Sequence, residues 1–121
     1  NVISPFTLIG RCSYVEAVTE DKEVQRPTFF VSHWWGEAVA RFYACLDKHR
    51  ITRGYPEKTA YWVCAYANNQ HELGSDLGTD PMKSSFLKAM ESCHGVLLIL
   101  DDEATPFSRV WCCFEEGIVA L

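Results

Sequence analysis

Three short, dense apolar runs punctuate the chain, TFFVS at 28–32, AYWVCAY at 60–66 and GVLLIL at 95–100. They are continuous rather than alternating and rich in β-branched and aromatic residues, a pattern that suits strands buried on both faces of a parallel sheet. Between the first two, from Ala38 to His49, Val39, Phe42, Tyr43 and Leu46 fall on one helical stripe, with Arg41, Asp47 and Lys48 on the other side. Between the second and third, Asp80 and Pro81 supply an N-cap and first-turn pair, and Met82, Phe86, Ala89, Met90 and Cys93 form the next stripe. After the third run, either Thr105 with Pro106 or Ser108 caps a last helix running to Leu121.

The order strand, helix, strand, helix, strand, helix predicts a flavodoxin-like, three-layer α/β domain whose three runs are adjacent parallel strands with right-handed crossovers. Two stretches fall outside it. Residues 1–27 carry Pro5, Pro27 and the charged run EDKEVQR, with only a weak helical pattern from Tyr14 to Val24, so we treat them as a flanking segment to a domain at 28–121. Residues 71–80, HELGSDLGTD, form a Gly-rich acidic loop.

Composition narrows the function classes. A formal charge of −5 disfavours a nucleic-acid surface, which needs clustered Lys and Arg. No apolar run approaches the roughly 20 residues that a membrane span requires. The chain starts at Asn1 without a signal-peptide pattern and stops within helical periodicity, so the sequence reads as a cytoplasmic piece of something longer. The six cysteines (Cys12, Cys45, Cys64, Cys93, Cys112 and Cys113) include no C-x-x-C spacing, and we expect buried free thiols in a reducing compartment, with neither disulfide nor metal.

In a doubly wound sheet, ligands sit outside the carboxyl ends of the strands. That rule selects Ser32, His33, Trp34, Trp35, Gly36 and Glu37 after the first run, Asn68, Asn69, Gln70 and His71 after the second, and Asp101 and Asp102 after the third. His71 and Glu72 open a loop that is either a lid or a plain connection. Neither G-x-G-x-x-G nor a Walker A sequence occurs, and the acidic end of the third run disfavours a bare phosphate beside it. In the last helix, Val110, Cys113, Phe114, Gly117, Ile118 and Leu121 cluster on one face, Glu115 falls on its border about 40° from Trp111, and Glu116 points nearly opposite. A border carboxylate beside an indole is either a partly desolvated site residue or an ordinary surface glutamate.

The succession FFVSHWWGE, helix, YWVCAYANN, Gly-rich loop, helix, SCHGVLLILDD, WCCFEE resembles the TIR (Toll/interleukin-1 receptor homology) domain over about residues 28–121. The motifs that carry the likeness are Phe30 and Ser32, Gly36 and Glu37, Ser92, and Trp111, Cys112 and Glu115. Many TIR domains cleave NAD, and their catalytic glutamate stands four residues after that tryptophan, which implies Glu115 as catalytic and Trp111 with Ser32, His33, Trp34, Trp35, Gly36 and Glu37 around the substrate. The resemblance also implies homotypic association, a signalling or defence setting, and NAD as substrate rather than cofactor. The chain departs from the family where His33, Trp34 and Trp35 replace an aromatic residue and arginine, where Cys64 lies near an expected acid, and where the fourth and fifth strands would follow. Two other functions stay open: a non-catalytic TIR-like adaptor, and a nucleoside hydrolase or deoxyribosyltransferase of related fold.

For Trp34 and Trp35 the alternatives are stacking on a ligand ring or packing of core and rim. For His33 they are a phosphate contact or a structural histidine, for Ser32 a ligand hydrogen bond or closure of the strand end, and for Asp101 and Asp102 chemistry or capping, of which we favour capping.

Overall fold

The computed structural model describes residues 3–19, 21, 23, 26–69, 71, 84–109 and 117. In chain order the elements are α1 (Ile3–Thr7), α2 (Tyr14–Val18), β1 (Phe29–Ser32), α3 (Val39–Arg53), β2 (Tyr61–Val63), α4 (Cys64–Ala67), α5 (Ser85–Ser92), β3 (Gly95–Leu98) and a 3-10 turn at Thr105–Ser108. The strands form one all-parallel sheet in the order β2-β1-β3, so the domain is α/β as the apolar runs predict. That order matches the first three strands of the flavodoxin-like arrangement. Chain contacts divide the molecule into two compact units, Asn1–Phe30 with Ala60–Gly95, and Val31–Thr59 with Val96–Leu121.

In the first unit, neighbouring strands pair their aromatics, as expected when successive side chains take opposite faces and cross-strand neighbours meet. Phe29 stacks on Tyr61 at 5.8 Å and Phe30 on Trp62 at 4.8 Å. Trp62 then receives the edge of Phe86 from α5 at 5.5 Å, and Phe86, Ala89 and Met90 of that helix are buried. The helix begins at Ser85, after Ser84 in the N-cap position; the expected Asp80–Pro81 cap lies outside the described residues.

One expectation for this unit needs correction. The second run is strand only over Tyr61–Val63, and Cys64–Ala67 turn into helix α4. The Cys64 carbonyl accepts the Asn68 N–H, and the Asn68 amide donates to Cys64 Sγ at 3.2 Å, so local i,i+4 bonds take over from the ladder. In the segment before β1, part of the weak helical pattern read from Tyr14 to Val24 is helix, over Tyr14–Val18. Ser13 and Glu16 form a reciprocal capping box that starts α2, and Tyr14 of that helix lies 5.6 Å from Phe6 and 5.7 Å from Tyr66. Thr7, 1% exposed, donates to the Ile3 carbonyl and pairs with His71 Nε2 at 3.0 Å.

In the second unit, Val31, Ser32, Phe42 and Ile99 are buried. Helix α3 runs past the expected His49 to Arg53 and ends at Gly54, whose N–H reaches the Arg50 and Ile51 carbonyls and whose left-handed φ of 71° turns the Tyr55 N–H back onto the Arg50 carbonyl at 2.9 Å. The expected α3 stripe is buried only at Phe42, and Val39 (69%) and Tyr43 (68%) are exposed. No helix among the described residues is long and apolar enough to cross a membrane.

Candidate functional site

The carboxyl ends of β1 and β3 lie within the second unit, joined by a hydrogen bond from Ile99 N–H to the Ser32 carbonyl at 3.0 Å. Ser32 closes the central strand. Its side chain is 2% exposed, and its Oγ has no hydrogen-bond partner among the described residues. A buried hydroxyl without a partner costs about 1–3 kcal/mol, which is why such atoms repay attention at a strand end where ligands bind.

The next residues divide the aromatic work. His33 turns its ring against Phe42 of α3, with centroids 4.4 Å apart, and burial pushes the imidazole pKa down to about 4, so it is uncharged at neutral pH. Trp34 is half-buried and folds back over Gly36: a Cβ on that glycine would lie 2.2 Å from Trp34 Cζ2. Glycine is needed there for close approach of the indole. Trp35 is 56% exposed. Glu37 is half-buried, its N–H bonded to the Trp34 carbonyl at 3.2 Å, and α3 begins two residues later without a side-chain cap.

Beyond β3, Asp101 accepts hydrogen bonds from both the backbone N–H and the hydroxyl of Thr105. The Thr105 hydroxyl, foremost, and its backbone N–H hold the Asp101 carboxyl below the usual carboxylate range. Asp101 therefore serves as a cap, the role expected for it, and fixes the 3-10 turn in which Pro106 is buried. Ala104 ahead of that turn takes a left-handed φ of 53°.

The structure thus brings Ser32, His33, Trp34, Trp35, Gly36 and Glu37 into one loop at the end of the central strand, with Asp101 and Asp102 after the adjoining one. Glu115, Glu116 and Trp111 lie outside the described residues, as do Gln70 and Glu72. Residues after β2 have other attachments: Asn68 bonds Cys64 and Ser85, Asn69 bonds the Arg11 carbonyl, and His71 bonds Thr7.

Sequence reasoning missed the ring contact between His33 and Phe42, because residues nine apart in sequence give no periodic signal. It also missed the Ser13–Glu16 box, although S-x-x-E is written in the chain as SYVE.

The expectation of buried thiols needs correction as well. Cys64 is buried, Cys12 and Cys93 are half-buried and Cys45 is exposed, because it lies on the solvent side of α3 rather than beside Phe42. Cys12, Cys45 and Cys93 are free thiols, and burial raises the Cys93 pKa. Among the described residues no three His, Cys, Asp or Glu side chains gather as a metal-binding group. Compared with protein-family models, with curated proteins and with solved structures, the chain matches none.

Proposed function

We propose that the chain is a TIR-like domain that cleaves the bond between nicotinamide and ribose in NAD. The observation that carries this reading is the buried Ser32 hydroxyl, without a hydrogen-bond partner among the described residues, at the carboxyl end of the central parallel strand, where ligands of doubly wound sheets bind. The W-C-x-x-E sequence at Trp111, Cys112 and Glu115 supplies the proposed catalytic carboxylate.

In the reaction the C1′–N bond breaks and its electron pair passes to the pyridinium nitrogen, so nicotinamide leaves neutral and needs no general acid. The barrier lies in the positive oxocarbenium that develops on the ribose. Glu115 stabilises that charge and accepts hydrogen bonds from the ribose hydroxyls. Water adds at C1′, losing a proton, to give ADP-ribose; attack by the adenine of the same molecule gives a cyclic product instead. Homotypic association completes the pocket in this reading.

The adaptor reading has an observation of its own. Val39, Tyr43 and Ile51 of α3 are all exposed, a supply of apolar surface for a protein partner. The two readings separate on one experiment. NAD incubated with protein clustered on a multivalent support yields nicotinamide together with ADP-ribose or its cyclic form, resolved by chromatography. If the clustered protein releases no nicotinamide, the adaptor reading replaces the enzyme.

A further inference from the structure

We infer that Trp35, in the loop that follows the central strand, is the stacking platform for a planar cationic ring, and that Trp34 is a packing residue. The identification of that ring as the nicotinamide pyridinium rests on the NAD-cleaving reading; the preference for a planar cation does not.

The two adjacent tryptophans are distinguished by Gly36. Trp34 lies so close over this glycine that even a methyl group there would collide with three of its ring atoms, at 2.2, 2.5 and 2.7 Å. The Trp34 ring thus packs against the chain's own backbone at Gly36. Trp35, one residue on, keeps more than half of its surface open to solvent at the edge where Ser32 ends the central strand. Indole offers the strongest face for a cation among the aromatic side chains.

Charge selects the kind of ring. The strand-end segments 32–38 (SHWWGEA) and 99–105 (ILDDEAT) carry Glu37, Asp101, Asp102 and Glu103 and contain no Lys or Arg. His33, half-buried against Phe42, adds no positive charge at neutral pH. Asp101 stays ionised, held by the Thr105 hydrogen bonds. The nearest cations in sequence are Arg41 in α3 and Arg109 past the 3-10 turn. The start of α3 contributes a partial positive charge, and Glu37, one residue ahead of its N-cap position, offsets it. The field at Trp35 therefore favours a cation and disfavours a pyrophosphate, so the pyridinium end of a dinucleotide enters here and its phosphates lie elsewhere.

The test uses two ligands of nearly one shape, the 1-methylnicotinamide cation and neutral nicotinamide, titrated into the whole chain and followed by indole fluorescence and by the indole N–H signals in NMR. The cation should bind about fivefold or more tightly than the neutral ring, as expected for an exposed cation–π contact reinforced by nearby carboxylates. Its affinity should fall as salt is raised. Trp35→Ala should remove saturable binding, whereas Trp34→Phe should change affinity less and lower the melting temperature more. Equal affinity for the two ligands, no saturable binding, or loss of binding with Trp34→Phe but not with Trp35→Ala would overturn the inference. Its failure is distinct from failure of the enzyme reading. Cation binding without NAD cleavage leaves the platform standing and removes the enzyme; NAD cleavage with kcat/KM unchanged by Trp35→Ala leaves the enzyme and removes the platform.

Discussion

Helices α3 and α5 read alike in sequence and differ in the structure. Both present apolar residues at helical spacing, yet α5, with eight residues, buries Phe86, Ala89 and Met90, while α3, with fifteen, buries only Phe42. In α5 the stripe is narrow and meets a partner, the Trp62 ring, squarely. In α3 the buried side runs through Phe42 with Leu46 and His49 half-buried, and Tyr43 is turned about 100° away from Phe42. Periodicity thus locates a helix more reliably than it locates the face the helix buries, because the face depends on where its neighbours are.

The contrast can be broken by paired substitutions. Phe86→Ala removes a buried ring that touches Trp62 and should cost about 3–5 kcal/mol, enough to threaten folding of a domain this size. Tyr43→Ala, on the exposed part of the α3 stripe, should change stability by about 0.5 kcal/mol or less. Urea titrations of the two variants measure both, and a Tyr43→Ala loss comparable to that of Phe86→Ala would show that α3 is covered.

A smaller effect sharpens the α3 side of the comparison. His33 is held neutral by burial, with its pKa lowered from 6.5 to about 4. Between those values the unfolded chain binds more protons than the folded one, so the contribution of this group is complete above pH 6.5 and is lost as pH falls toward 4. The wild type should therefore lose more thermal stability than His33→Asn as pH falls from 7 to 4.5, measured by thermal melts of both proteins at each pH. Parallel curves for the two would show that His33 is not buried in this way.

The elements that were legible in the sequence are those carried by dense local signals. The runs at 28–32 and 95–100 appear as Phe29–Ser32 and Gly95–Leu98, because continuous β-branched and aromatic residues have few other ways to be buried. The run at 60–66 was legible only to Val63. Apolar residues suit a buried helical turn as well as a strand, and the Asn68 amide tips Cys64–Ala67 toward helix. The site shows the same limit. The strand-end rule reached Ser32 through Glu37, but the unlike surroundings of Trp34 and Trp35 depend on how the backbone folds at Gly36, which no spacing reveals. Asp101 was legible as a cap, since Asp ahead of a Thr-Pro turn has a local partner.

The central proposal is that Glu115 is the catalytic carboxylate of a nicotinamide-releasing site at this strand edge. It is tested most directly by nicotinamide release from NAD by clustered wild type, Glu115→Ala and Glu116→Ala, with circular dichroism confirming that each remains folded. Loss of a group that stabilises charge only in the transition state slows a reaction by about 10²–10³. The account predicts that Glu115→Ala falls by at least that factor and that Glu116→Ala keeps most of its activity; a Glu115→Ala protein that releases nicotinamide as fast as the wild type would contradict it.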